Sequence, residues 1–124
     1  MQPNMKKIMV VDDDTDYLEA MKAFLRRAGY DVVVTTTCDE GLAELISFKP
    51  DLIILDIEVG SSDGREMCGK IKAMAAYKHI PVILVSGNYA ALLTYEACQA
   101  DAALRKPFEP AELLKLLDTH LINA

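Results

Sequence analysis

Residues 8–14 read IMVVDDD, four apolar side chains followed directly by three acids. A short, continuous apolar run is typical of a strand in a parallel sheet, because both faces of such a strand are covered. The pattern returns at residues 52–56, LIILD, and at residues 81–86, PVILVS, each time with a polar residue at its end. These three runs predict the central strands of a parallel sheet.

Segments with helical periodicity lie between the apolar runs. Over residues 15–28, Leu18, Met21 and Leu25 recur at spacings of three and four, and Gly29 follows as a stop signal. Similar patterns predict helices over residues 39–48, 65–75, 90–98 and 110–121, strands over residues 32–34 and 102–105, and a loop over residues 59–64. Strand followed by helix, five times over, predicts an α/β fold with helices on both faces of the sheet.

Length and composition exclude several classes of protein. The 124 residues predict one domain over residues 1–124, of which roughly 6–122 are structured. The net charge of −6 argues against direct nucleic-acid binding, which needs cations to replace the phosphate counterions. No apolar run approaches the roughly 18–20 residues of a membrane span, and the N-terminus lacks the apolar core of a signal peptide. We therefore expect a cytoplasmic protein without membrane contact.

The three cysteines are Cys38, Cys68 and Cys98, spaced thirty residues apart. They form no close pair of the kind that binds zinc or cycles between thiol and disulfide. We interpret them as small core or helix residues in a reducing compartment.

Polar side chains at four predicted strand ends should meet at one edge of the sheet, where doubly wound folds place their sites. Asp12 and Asp13 follow the first strand, Asp56 ends the third, Ser86 ends the fourth, and Lys106 follows the fifth. Clustered carboxylates repel one another unless a cation joins them, and oxygen ligands suit Mg²⁺. A carboxylate can also attack phosphorus to form an aspartyl-phosphate, while a lysine and a hydroxyl bind the phosphoryl oxygens.

The order of these motifs resembles the receiver domains of response regulators in two-component signalling, of the chemotaxis-regulator type. The matching segments are residues 9–14, residues 55–56 with Asp63-Gly64, residues 81–87 and Lys106-Pro107-Phe108. The resemblance implies a flavodoxin-like, doubly wound (βα)₅ fold with strand order 2-1-3-4-5. It also implies a cis peptide bond between Lys106 and Pro107.

Position by position, the resemblance implies that Asp56 is the phosphoacceptor and that Lys106 and Ser86 bind the phosphoryl group. The implied Mg²⁺ ligands are Asp12, Asp13, Asp56 and the backbone carbonyl of Glu58. Asp14 is expected to cap the first helix, and Asp63 is interpreted as a turn residue beside Gly64.

The sequence departs from the family pattern at three positions. Ala103 stands three residues before the lysine, where the family usually has the aromatic residue of its switch. Gly60 replaces the usual proline after the acceptor, which predicts a mobile loop, and Tyr95 is a weak candidate for the missing aromatic. The side chain of Glu58 could disfavour a second anion, position water or reach the metal, and the choice stays open.

Three classes of function are compatible with these features. The first is a phosphorylatable receiver in a phosphorelay, which takes its phosphoryl group from a histidine kinase or phosphotransfer protein and acts on a downstream protein or an attached output domain. Exposed faces of the fourth and fifth helices are then candidate surfaces for a homodimer or an effector, with a plain solvated face as the equal alternative. The second is a pseudo-receiver, a protein-interaction module that does not switch by phosphorylation.

The third class is an enzyme. Residues 56–59, DIEV, faintly resemble the DxDx motif of haloacid-dehalogenase-type phosphatases, but Glu58 replaces the second Asp and the chain has no room for a cap domain. A flavin-binding role fits poorly, because three acids occupy the first loop. We adopt the first class and expect no enzymatic activity beyond the domain's own phosphorylation and dephosphorylation.

Overall fold

The computed structural model describes residues 5–121, and the predicted apolar runs form a five-stranded parallel sheet at its centre. The strands are β1 (Lys7–Val11), β2 (Asp31–Thr35), β3 (Leu52–Asp56), β6 (Val82–Ser86) and β7 (Ala102–Arg105), and a separate hairpin contains β4 (Glu58–Val59) and β5 (Ser62–Asp63). The order across the sheet is β2-β1-β3-β6-β7. With the hairpin strands left out of the count, this is the predicted order 2-1-3-4-5.

The helices connect these strands and cover both faces of the sheet. They are α1 (Thr15–Arg27), α2 (Cys38–Ser47), α3 (Gly64–Ala73), α4 (Tyr89–Leu92), a 3₁₀ helix (Tyr95–Cys98) and α5 (Pro110–Leu121). Among the described residues, none of these helices combines the length and apolar character needed to cross a bilayer. Residue 122, the predicted end of the structured region, lies outside the described residues.

The period-two alternation along each strand divides the core into two layers. Met9 and Val11 of β1 pack with α2 and α3, while Ile8 and Val10 pack with α1 and α5. The helical contributions to the first layer include Leu45, Met67, Cys68 and Ile71, and those to the second include Leu18, Leu25, Leu113 and Leu117. Because both faces are buried, the central strands are apolar except at their ends, as their sequences predict.

Two predicted elements differ from the structure. The loop predicted over residues 59–64 is wrong, because β4 and β5 pair as an antiparallel hairpin around Gly60 and Ser61. The helix predicted over residues 90–98 is wrong as a single element, since α4 ends at Leu92 and a 3₁₀ helix follows. The Thr94 hydroxyl donates to the carbonyl of Ala91 at 2.6 Å, a local bond that competes with regular helical geometry.

The remaining boundaries move by one or two residues for identifiable reasons. Helix α2 begins at Cys38 because the Thr37 hydroxyl accepts from the N–H of Glu40, and α3 begins at Gly64 because the Asp63 carboxylate accepts from the N–H of Arg65. Asp14 caps α1 as predicted, by accepting from the N–H of Tyr17.

Gly64 allows the start of α3 to approach β3 closely. Its N–H donates to the carbonyl of Ile57 at 2.6 Å, and a Cβ at this position would collide with the backbone carbonyl of Asp56. We expect Gly64→Ala to lower the free energy of unfolding by about 1–3 kcal/mol, because backbone must move to admit the methyl group. Gly69→Ala is the matched control in the same helix, since a Cβ there meets nothing within 4 Å.

The control should instead gain about 0.5–1 kcal/mol from the higher helix propensity of alanine. Urea denaturation of both variants measures the difference. Equal effects of the two substitutions would contradict the close approach at Gly64.

Candidate functional site

The register of the sheet brings polar residues to its carboxyl edge. Val11 pairs with Leu55, and Asp56 pairs with Val85, so that Asp12, Asp56 and Ser86 occupy the ends of three adjacent strands. All three side chains are buried. Burial of polar side chains at one edge is informative, because such groups are costly to bury without partners.

Three carboxylates form a tight cluster at this edge. One oxygen each from Asp12, Asp13 and Asp56 lies within 4.8 Å of the other two. Asp12 Oδ1 accepts from the N–H of Asp14 at 2.9 Å, and Asp13 Oδ2 accepts from the N–H of Gly60 at 3.0 Å. Three oxygen donors at one point fit Mg²⁺, which binds through one or two carboxylates and keeps several waters.

The Lys106 ammonium lies against this cluster. Its Nζ donates to Asp12 Oδ2 at 2.7 Å and is 3.7 Å from Asp56 Oδ1. The Nζ also lies 4.2 Å from the centroid of the Tyr17 ring. The peptide bond between Lys106 and Pro107 is cis, as the resemblance implies.

Burial raises the pKa of Asp56 to about 6. The Lys106 ammonium opposes this effect by lowering the pKa, while the negative charges of Asp12 and Glu58 add to the increase. Burial therefore makes the charged form of Asp56 unfavourable in free energy, and a metal cation bound beside it would offset this cost.

Ser86 links the ends of β6 and β7. Its hydroxyl oxygen accepts from the N–H of Asn88 at 2.9 Å, and its carbonyl accepts from the N–H of Lys106 at 2.9 Å. Within residues 5–121 the Ser86 hydroxyl has no hydrogen-bond acceptor, so its proton remains available to donate.

The hairpin after Asp56 is tied to the acidic cluster. Gly60 has φ +61° at the first position of the two-residue turn, the pattern of a type II′ turn, and it binds Asp13 as described above. The Glu58 side chain is exposed, and the role of its backbone carbonyl as a metal ligand stays a prediction. The expected mobility of the Gly60 loop also stays a prediction.

Arg65 connects this hairpin to the segment after α4 through an ion pair on one side and a hydrogen bond on the other. Asp63 is the helix cap of α3 rather than only a turn residue, and its carboxylate pairs with the Arg65 guanidinium at 2.7 Å. This ion pair lowers the pKa of Asp63. Arg65 also donates to the Thr94 hydroxyl at 3.0 Å. The contact joins the loop beside Asp56 to the irregular helical segment.

The position where the family usually has its aromatic switch residue lies in β7 and is occupied by Ala103. Ala103 pairs with Leu84 of β6 and packs at the edge of the core layer that contains α3. Tyr95, the weak candidate for a substitute, is half-buried in the 3₁₀ helix and packs against the same layer. Tyr89 is exposed and stacks under the Arg105 guanidinium at 5.3 Å.

Sequence reasoning missed two residues at this edge of the structure. Tyr17 lies in the first turn of α1, and Arg65 lies in the first turn of α3. The N-terminal turn of a helix that follows a strand end points toward the site edge, which is the signal that could have identified both. Their partners Lys106 and Thr94 are 89 and 29 residues away along the chain, and only the tertiary structure brings them together.

Comparisons with known proteins agree with the observed architecture. A family model described as the response regulator receiver domain matches residues 8–118. Protein PilG of Pseudomonas aeruginosa is 30% identical over 93% of this chain and 87% of its own length. The alkaline phosphatase synthesis transcriptional regulatory protein PhoP of Bacillus subtilis is 32% identical over 87% of this chain, but over only 45% of its own length.

Solved structures show the same fold. A putative response regulator from Chloroflexus aurantiacus superimposes with a TM-score of 0.90 at 28% identity, covering 97% of this chain and all of that one. The chemotaxis response regulator CheY4 of Vibrio cholerae gives a TM-score of 0.86 at 28% identity, covering 94% of this chain and 99% of its own. The chain thus spans about half the length of some curated relatives and nearly all of the two solved chains named above.

Proposed function

The chain belongs to the response regulator receiver family, and from that premise we propose that Asp56 accepts a phosphoryl group in a Mg²⁺-dependent reaction. The observation that carries the proposal is the convergence of three carboxylates within 4.8 Å, with the Lys106 ammonium in contact with the same cluster. Helix capping does not explain why the acids before α1 belong to this cluster, because Asp14 already caps that helix.

Mg²⁺ would be held by the carboxylates of Asp12, Asp13 and Asp56 and by the backbone carbonyl of Glu58. When bound, it supplies positive charge that offsets the charge of the transferring phosphoryl group. The chain's own residues then define the transfer. An Asp56 carboxylate oxygen forms a bond to phosphorus in line with the donor, and the donor group leaves with the electrons of the broken bond.

Lys106 and Ser86 act on the phosphoryl group, both as it is transferred and in the product. The Lys106 ammonium, 3.7 Å from Asp56, is close enough to bind a phosphoryl oxygen after a small movement away from Asp12. The Ser86 hydroxyl donates its free proton to another phosphoryl oxygen. The Ser86 carbonyl accepts a hydrogen bond from the N–H of Lys106. This bond fixes the two residues relative to each other, so that both side chains can bind the same phosphoryl group.

The donor we propose is a histidine kinase or a phosphotransfer protein in the cytoplasm, and the output is contact with a downstream protein. We expect the domain to promote only its own phosphorylation and dephosphorylation. Because Ala103 removes the family's aromatic switch residue, we propose that the output uses the hairpin and the segment joined to it by Arg65 and Thr94. The pseudo-receiver alternative rests on Ala103 and Gly60 and is not the one that we favour.

The test is the intact mass of the protein after incubation with acetyl phosphate or phosphoramidate. We expect a gain of one phosphoryl group in the presence of Mg²⁺ and none after removal of the metal with EDTA, because the clustered carboxylates repel the donor when no cation is present. No gain with either small donor or with a phosphorylated phosphotransfer protein would favour the pseudo-receiver. A gain that is equal in EDTA would contradict the proposed metal site.

A further inference from the structure

Tyr17 occupies a fixed place beside the cluster. It lies in the first turn of α1, and its backbone N–H donates to the Asp14 carboxylate at 3.1 Å. This cap bond sets the position of the backbone from which the ring extends. The ring face meets the Lys106 ammonium at 4.2 Å, within the distance of a strong cation–π contact.

The ammonium therefore has partners of two kinds. Asp12 and Asp56 carry negative charge, and both are the groups that a metal and a phosphoryl group would engage. The ring attracts a cation through its quadrupole but carries no net charge. It therefore remains a partner for Lys106 when the carboxylates are engaged, and it does not repel an incoming phosphoryl group.

An apolar cavity adjoins both Tyr17 and Lys106. It has a volume of about 600 Å³, and its lining includes Tyr17, Phe24, Lys106 and Phe108. Without the attraction of the ring, this open space would leave the long lysine side chain more rotamers in which the ammonium points away from Asp56.

We propose that Tyr17 is a positioning residue, whose ring holds the Lys106 ammonium beside Asp56 and so raises the rate of phosphoryl transfer. This inference rests on the function proposed above, and it adds a residue that the motifs do not contain. The ring is the active part of the side chain. The hydroxyl is buried and has no hydrogen-bond partner within residues 5–121.

The phenol also stays neutral at working pH. Burial, with smaller contributions from Asp12 and Asp56, raises the pKa of Tyr17 above its usual value. The hydroxyl thus brings neither charge nor a hydrogen bond to the site. Phenylalanine should therefore replace tyrosine here without loss, whereas an aliphatic residue should not.

The experiment compares the labelling rates of Tyr17→Phe and Tyr17→Leu with acetyl phosphate at saturating Mg²⁺. We expect Tyr17→Phe to stay within about twofold of the parent and Tyr17→Leu to be slower by roughly 2- to 30-fold, the range of one cation–π contact. Phe24→Leu is the matched control, because Phe24 lines the same cavity without facing the ammonium. Its labelling rate should be unchanged.

A double-mutant cycle with Lys106→Met separates the effect of the ring–ammonium contact from any effect of Tyr17→Leu on the fold. If the ring acts through the ammonium, Tyr17→Leu should have no further effect on the rate in the Lys106→Met background. The proposal is overturned if the effects of the two substitutions on the labelling rate multiply, or if Tyr17→Phe is labelled as slowly as Tyr17→Leu.

A second measurement does not depend on phosphorylation. The Lys106 Nζ lies 4.2 Å from the ring centroid, so we expect the neighbouring ε-methylene protons to show an upfield ring-current shift in their NMR signals. The shift should be present in the parent and in Tyr17→Phe, and lost in Tyr17→Leu. Absence of this shift in the parent contradicts the Tyr17 inference. Absence of labelling in the parent, with the shift present, contradicts the proposed function instead.

Discussion

Replacing Asp56 by Asn is expected to abolish the covalent gain of a phosphoryl group from acetyl phosphate. The amide lacks the anionic oxygen that attacks phosphorus, and it removes one of the three carboxylates of the cluster. We expect labelling to fall by at least about 1000-fold, below detection by intact mass, on the proposed assignment of Asp56 as nucleophile.

Asp14→Asn is the matched control for this loss. It also removes one negative charge beside the cluster, but asparagine caps a helix as well as aspartate does. Labelling should persist in this variant. A label that survives in Asp56→Asn, located by peptide mapping on another residue, would show that the acceptor lies elsewhere.

The Asp56→Asn substitution is also expected to stabilise the metal-free protein at neutral pH. Because the pKa of Asp56 is raised to about 6, between pH 4 and pH 6 the folded state keeps a proton that the unfolded state has lost. Unfolding then releases a proton, so the free energy of unfolding falls as the pH rises through this window. Above pH 6 the full cost of the buried charge is present.

Asparagine removes that cost. In EDTA at pH 7.5, we expect Asp56→Asn to raise the free energy of unfolding by about 1–3 kcal/mol, and the gain should shrink to a small fraction of this value near pH 4. Urea denaturation at both pH values measures it. Asp16→Asn, which removes an exposed acid from α1, should show no such gain. Destabilisation by Asp56→Asn at pH 7.5 would mean that its carboxylate contributes bonds that outweigh its burial.

These predictions depend on an arrangement that was largely visible in the sequence. The continuous apolar runs specify strands buried on both faces, and alternation with helices specifies a parallel sheet. Since parallel strands all end at one edge, the residues that follow them must meet, and the structure does place Asp12, Asp56 and Lys106 in contact. The metal and phosphoryl roles of these residues stay predictions.

Competition between local hydrogen bonds and regular secondary structure limited what could be predicted for the segments between the strands. The stretch from Glu58 to Asp63 contains no apolar alternation, so pairing across Gly60 was not visible from its composition. The helix after Ser86 breaks at Thr94, where a side-chain bond to Ala91 replaces the regular helical pattern. Such local choices depend on energies of about one hydrogen bond, which neighbouring packing can reverse.

The sequence by itself determined the sheet, the two core layers and the edge where charged groups gather, because burial of the apolar side chains in these strands and helices outweighs local backbone preferences there. Only the tertiary structure decided which neighbours those groups have. It places Tyr17 against Lys106 and Arg65 against Thr94, since such contacts depend on helix placement over the sheet rather than on any pattern along the chain.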